Sequence, residues 1–330
     1  MKATTVLMLF ALASTQALAT TTDDAAWTAY HASLHAAMRA SDDPREWALA
    51  AFPPSDDVVA PEATVEADAE LSRAAAQAPN DALVQWIVAN NYAATEAKMV
   101  RVDAALSRLE AIEPDNAAVW MQALYRATRQ HDDAAASRAL AQMAESTRFD
   151  EHFADALHAW LAAYDRHPPA HPLPSVRDGD TTLSAAFAMA MSYTTAVAMP
   201  SYATITKTCD PAKEAVEGER RTHCEAIGRL LLGRGTTLIA RSIGFALLRN
   251  LDVLTDSDRA ENRNLDWYRA NVPKGTGYEG GSASVGAAYE ADWRRLDDEI
   301  TVMRNALQRA GLPPDAPPGW TPAASRTAKR

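Results

Sequence analysis

The chain has 330 residues, 48% of them hydrophobic, and a formal charge of −11 at pH 7. This length accommodates one large domain or two ordinary ones. The negative balance argues against a nucleic-acid partner, because a phosphate backbone repels it; the one basic end, Arg326-Thr327-Ala328-Lys329-Arg330, reads as a solvated tail.

The N-terminus has the pattern of an export signal. Lys2 is followed by the apolar run Val6 to Ala13 and by the small-x-small site Ala17-Leu18-Ala19, so cleavage is expected after Ala19. That run is shorter than the roughly 20 residues a bilayer needs. The best later candidate, Leu230 to Leu248, carries Arg234 and Arg241 inside it. The mature chain is therefore expected in the periplasm or outside the cell, with no transmembrane segment. Cys209 and Cys224, the only two cysteines, are then read as a disulfide. Bridged Cα atoms lie within about 7 Å. A straight helix would hold residues of this spacing about 22 Å apart. The bridge thus requires a break between them, for which Gly218 is the candidate. A redox or metal-binding pair is the rival reading, and the spacing is not Cys-x-x-Cys.

In chain order, Ala25 to Ala40 reads as a first helix, with Trp27, Tyr30, Leu34 and Met38 at helical spacing. Asp42-Asp43-Pro44 opens a short second one, which Pro53-Pro54 ends. An alanine-rich region follows, in which Pro79-Asn80-Asp81-Ala82 is echoed 35 residues later at Pro114-Asp115-Asn116-Ala117. Such a period belongs to stacked helix pairs. The pattern resembles the tetratricopeptide repeat. Ala67, Leu71, Ala74 and Pro79 fit its second helix, and Val88, Ala89 and Tyr92 its next first helix. Val102, Leu106, Leu109 and Pro114 repeat the second-helix pattern with one extra residue in the turn. Trp120, Ala123 and Ala127 follow, with Leu124 where a small residue is usual; Ala136, Leu140 and Met143 follow in turn, without a closing proline. Asp150 to Tyr164 reads as one more first helix. The resemblance covers about a third of the chain. It implies antiparallel pairs stacked side by side, with a concave groove lined by the first helix of each pair. Gln85, Tyr92, Trp120 and Leu124 are its candidate lining residues.

His167 to Pro174 holds four prolines and marks a stiff linker, with Asp180 as a candidate cap for the next helix. Beyond it, Thr181 to Met199 lacks any charge and is expected to be buried all round. Asp210-Pro211 reads as a helix start, and Glu219 to Leu232 as a helix. Thr236 to Leu254 is another, with Leu238, Ile239, Ile243, Ala246 and Leu247 toward the core. Asp258 opens a helix through Tyr268, and a single last helix is expected from Ala287 to Ala310, capped by Gly311. Trp320 is expected to fasten part of the proline-rich tail. The chain is thus read as all-α, a tetratricopeptide-like stack followed by a C-terminal helical bundle. The expected divisions are a signal peptide (1–19), N-terminal helices (20–60), repeats (61–167), a linker (168–180), a C-terminal helical domain (181–311) and a tail (312–330).

Chemical motifs are few. Gly275-x-Gly277-x-x-Gly280 spells a dinucleotide fingerprint but lacks the preceding strand and following helix that the motif works through, so a connector is expected. His31 and His35 share a helical face without a third ligand and are expected to be partly exposed. His152 and His158 do not share a face. His223 adjoins Cys224, which a disulfide would remove as a nucleophile. Asp297-Asp298-Glu299 reads as a solvated run paired with Arg294 and Arg295. No residue is singled out as catalytic, cofactor-binding or metal-ligating. The expected role is a scaffold for an unknown protein or peptide. The alternatives are an enzyme or small-ligand binder with its site between the two halves, the loop from Gly275 to Gly286 serving as lid, and a structural oligomer built on the small-residue helices.

Overall fold

The computed structural model describes residues 22–52, 61–90, 96–171, 183–212, 216–272 and 283–322. The described residues are all-α, with fifteen helices and only two isolated bridges, Asn116 with Arg148 and Phe149 with Gly235. None of these helices is long and apolar enough to cross a membrane. The predicted signal segment, Pro53-Pro54, Tyr92, Asp180 and most of the glycine-rich stretch lie outside the described residues; Gly286 falls within a helix.

The first half is a row of paired helices. α1 (Thr22–Ala40) leads into α2 (Pro44–Ala50), whose Asp43 cap accepts from the Arg45 amide at 2.9 Å. α2 packs on α3 (Pro61–Gln77), α4 (Ala82–Asn90) on α5 (Glu96–Ile112), and α6 (Ala117–Arg129) on α7 (Asp133–Glu145). The echoed tetrapeptides are the joints of this row. Asp81 accepts from the Val84 amide at 3.1 Å, and Asn116 from the Ala118 amide at 3.2 Å. Each thus satisfies an orphan donor at the start of the helix after a proline turn. Neighbouring pairs lie side by side through α2 with α4, α3 with α5, and α4 and α5 with α6.

The next pair does not continue outward. α8 (Phe153–Arg166) turns back against α1 and α2, and α9 (Ala185–Ala198) packs on both α8 and α4. The indole of Trp86, fully buried on α4, donates to the Ala198 carbonyl at 3.0 Å, and the Asn90 amide donates to Val197 and Ala198 carbonyls. A chargeless α9 finds its partners on one side only. Phe187, Ala190, Thr194 and Val197 are buried, whereas Ser192, Thr195 and Ala196 are exposed, contrary to burial all round. Its cap is Ser184, which accepts from the Phe187 amide at 3.2 Å.

The remaining helices are α10 (Ala203–Thr208), α11 (Gly218–Arg234), α12 (Leu238–Asn250), α13 (Asp256–Asn271), α14 (Ala283–Trp293) and α15 (Glu299–Arg309). Cys209 and Cys224 form the expected disulfide, with a Cα–Cα distance of 5.6 Å. Gly218 supplies the break, at φ +53°, a conformation glycine adopts without a steric cost. Asp210-Pro211 forms a turn, not a helix start, and α10 stands before it. α11 and α12 cross closely at Gly228 and Gly244, so this small-residue seam is used within the chain. Ile239 faces outward at 40% exposure, contrary to its expected core position. The predicted last helix is two: Asp298 caps α15 by accepting from the Thr301 amide at 2.9 Å, after a turn that begins at Arg294. Trp320 does fasten the tail, meeting Trp267 edge-on at 5.2 Å, while Asp315 accepts from Tyr268 and pairs with Arg304.

One core cluster runs through residues on both sides of the proline-rich stretch, including Leu34, Trp86 and Leu157 before it and Val197, Leu231 and Ala306 after it. A smaller cluster around Leu248, Leu265, Tyr268 and Leu307 joins α11–α13 to α15.

Candidate binding cleft and the buried joint

Of the four residues expected to line a groove, Tyr92 lies outside the described residues. Gln85 is fully buried, and its amide nitrogen donates to the Ala78 carbonyl at 2.9 Å, closing the C-terminal end of α3. Leu124 is buried in the core. Trp120 is partly exposed, with its indole N–H on the Pro114 carbonyl at 2.8 Å. α8 packs on α2, and α9 packs on α4 on the side that carries Trp86 and Asn90, whereas Gln85 is enclosed between the end of α3 and Arg108 of α5.

A cleft remains between α4, α5 and α6, with a volume of about 60 Å³. Its floor is apolar, from Ala89, Val102 and Leu106, and Met99 stands at its side. Gln122 enters it and is tied to the Asn90 carboxamide. Tyr125, Arg126 and Arg129, from the last turns of α6, complete the lining. Asp103 takes two N–H groups of Arg126, at Nε and, at 2.7 Å, at Nη2. The third guanidinium nitrogen, Nη1, meets the Met99 sulfur at 3.6 Å. Arg129 lies over the Tyr125 ring at 6.0 Å and reaches its hydroxyl at 3.4 Å.

A second polar centre is the joint between α7 and α8. The closing proline missing from the third pair is replaced by an extended strap through residues 147–150. Asn116 holds it twice, donating to the Asp150 carbonyl at 2.8 Å and accepting from the Asp150 amide at 3.0 Å. His152 follows in the left-handed region at φ +55° and is 2% exposed. Its ring nitrogens lie 2.9 Å from Asp155 and 2.9 Å from Glu113. Burial alone would lower its pKa; the two carboxylates outweigh it and raise the imidazole to about 9. Burial would likewise raise Glu113, but His152, Asn116 and Arg148 bring it down to about 2. Asp150, His152 and Asp155 offer three ligand atoms within 4.8 Å of one another. At neutral pH, however, the imidazolium occupies that space with both N–H groups spoken for, so the group acts as an internal ion pair.

Glu151, the neighbouring residue, points the other way and is fully buried. It accepts from Thr237 at 2.5 Å and from the Tyr202 hydroxyl. Burial raises its carboxyl to about 7. The carboxylate of Glu299, a partly exposed residue, is turned inward onto the Leu238 amide at 2.7 Å and is raised by burial to about 7 as well. The predicted solvated run is thus divided: Asp297 is exposed, Asp298 caps α15 and Glu299 caps α12. Arg294 pairs with Asp165 and Arg295 with Asp292, not with that run.

His31 and His35 are buried, contrary to expectation, at 4% and 3% exposure. His31 lies among the rings of Trp27, Tyr30, Tyr164 and Tyr193, and His35 among those of Trp160 and Tyr193. Burial pushes His31 down to about 4 and lowers His35, so both are neutral at pH 7. Sequence reasoning missed the joint because Glu113 and His152 are 39 positions apart. The available signal was the run Asp150-Glu151-His152 standing where the repeat pattern calls for a proline turn.

Comparison of the chain with protein-family models, curated proteins and solved structures finds no match.

Proposed function

We propose that this chain is an exported helical scaffold, with tetratricopeptide-like pairing through α2–α7, that docks a protein or peptide segment in the cleft between α4, α5 and α6. The observation that carries the reading is the cleft itself: an apolar floor on stacked helices, bordered by Tyr125, Arg126 and Arg129. Aromatic and arginine side chains beside an apolar centre are what partner surfaces are enriched in. The disulfide agrees with export, since such bonds persist in oxidising compartments. N-terminal sequencing of the mature protein is expected to begin at Thr20. A photo-cross-linking residue at Arg129, used in the native host, is expected to trap a discrete partner that is lost when Met99→Trp fills the cleft. Trapping that is unaffected by Met99→Trp, or absent altogether, counts against the cleft.

A second reading, a catalytic or ligand site between the two halves, draws on the ionisable joint, where perturbed groups gather as they do in active sites. Those groups are enclosed and bonded to one another. Its test is whether soaking with small acids and amines perturbs the resonances of His152.

A further inference from the structure

The cleft carries unequal charge. Arg126 and Arg129 stand three residues apart on α6 and face the same hollow. Asp103 is the one carboxylate, among the described residues, that pairs with either of them. Arg126 is held in place by that pair, which leaves Nη1 directed at a thioether sulfur, a weak acceptor. Among the described residues, the polar and ring partner of Arg129 is Tyr125, through its hydroxyl and its ring. Among the described residues, one guanidinium charge therefore goes without a carboxylate, on a protein whose net charge is −11. Two cations in the last turn of α6 suit the negative end of the helix. That accounts for their position along the helix and not for their place over the apolar floor of Val102 and Leu106.

We propose that the cleft seats a glutamate side chain of the docked partner, in a segment with apolar flanking residues. This rests on the cleft being the docking site. A glutamate has the two parts the hollow asks for: methylenes to lie on Val102 and Leu106, and a carboxylate to receive Arg129 and the spare N–H of Arg126. Its two oxygens can accept from both guanidiniums, and charge-assisted bonds of this kind are the stronger class. An aspartate has one methylene fewer to cover the floor. An amide leaves the extra positive charge unanswered.

The test uses the purified full chain and three fluorescein-labelled heptapeptides: Ala-Ala-Leu-Glu-Leu-Ala-Ala amidated at its C-terminus, its Gln counterpart, also amidated, and the Gln counterpart with a free C-terminal carboxylate. Fluorescence anisotropy is expected to show the Glu peptide binding at least about tenfold more tightly than the amidated Gln peptide, the scale of one charge-assisted bond. Arg129→Gln, at an exposed position where folding is not at stake, is expected to abolish that difference. Equal binding of the Glu and amidated Gln peptides overturns the proposal. So does a Glu preference that survives Arg129→Gln, or recovery of full affinity by the free carboxylate at the peptide end. If the Gln peptide binds equally well and Met99→Trp removes both, the acidic partner is wrong and the docking cleft stands. If none binds at a site sensitive to Met99→Trp, both fall.

Discussion

A protonated imidazole that is 2% exposed is tolerable in His152 because Glu113 and Asp155 each take one of its N–H groups. Losing the imidazole leaves Glu113 with Asn116 and Arg148, and Asp155 half-exposed, so the cost is below that of a fully buried pair, about 1–3 kcal/mol. His152→Gln is accordingly expected to lower stability by that order at pH 7, measured by urea unfolding. The pH dependence has a definite sign. The folded-state pKa lies near 9, above the ordinary 6.5, so the contribution is complete below pH 6.5 and is lost as pH rises through about 9. The wild type should lose roughly 3 kcal/mol across that window, and the variant should not show this loss. Gln85 teaches a related point at the same scale. The repeat resemblance marked it as a candidate groove residue, yet its amide is used up on the carbonyl end of α3. A polar side chain is outside only if nothing inside needs its hydrogen bonds, and that need is invisible until the partner helix is in place.

At least seven helices in this chain begin at a capping side chain. Asp43, Asn116, Asp132, Ser184, Thr237, Thr255 and Asp298 each accept from an amide in the first turn that follows. These signals are local, yet the sequence alone marked only Asp43 among them as a helix start, and Asp298 read there as part of a solvated run. The one long helix predicted near the C-terminus was misread because the apolar stripe from Tyr289 to Leu307 keeps its helical spacing across the turn that precedes the Asp298 cap. Close crossing is the other element-level feature. A Cβ on Gly244 would meet the backbone of Leu232, and the Gly228 carbonyl at 2.7 Å. Backbone cannot step aside without moving α11. A Cβ on Gly228 would meet the Leu248 side chain at 2.9 Å, which can shift more easily. Gly244→Ala is thus expected to cost on the order of 1–3 kcal/mol or more in thermal or urea unfolding, and Gly228→Ala distinctly less. Equal effects would mean that the α11–α12 contact is not set by these two residues.

Across the whole molecule, the two sides of the proline-rich stretch are joined at Glu151, which Tyr202 and Thr237 bind from the far side. Asp150 and the inward-turned Glu299 also act on it, both with the same negative sign, and among the described residues no cation pairs with it. Its folded-state pKa, about 7, lies above the ordinary 4.5. The neutral carboxyl therefore favours the fold; this contribution is complete below pH 4.5 and is lost as pH rises through 7. Glu151→Gln keeps a group that can accept and donate at the joint but cannot ionise. It is expected to gain up to about 3 kcal/mol over the wild type at pH 8 and little or nothing at pH 4.5, read from urea midpoints. A variant that is destabilised equally at both values would show that the joint depends on the carboxyl's shape and not on its proton. Because this window lies below that of His152, the two variants separate the two neighbouring residues.

The all-helical class, the paired helices, the disulfide and the tail contact at Trp320 follow from the sequence by itself. The first two depend on residues close together along the chain and the disulfide on the two cysteines present, whereas Trp320, expected to fasten the tail, found its partner Trp267 far away along the chain. The location of the cleft does not follow from it. Local spacing specifies how one helix meets the next, and it says nothing about whether the following pair extends the row or folds back over it. That choice was made by long-range contacts, Trp86 to Ala198 and α8 to α1 and α2, in which the burial of aromatic surface outweighs continuation of the stack. Packing of α4 against α3 and α5 enclosed Gln85, and the paired helices α4, α5 and α6 left Arg126 and Arg129 facing an apolar hollow.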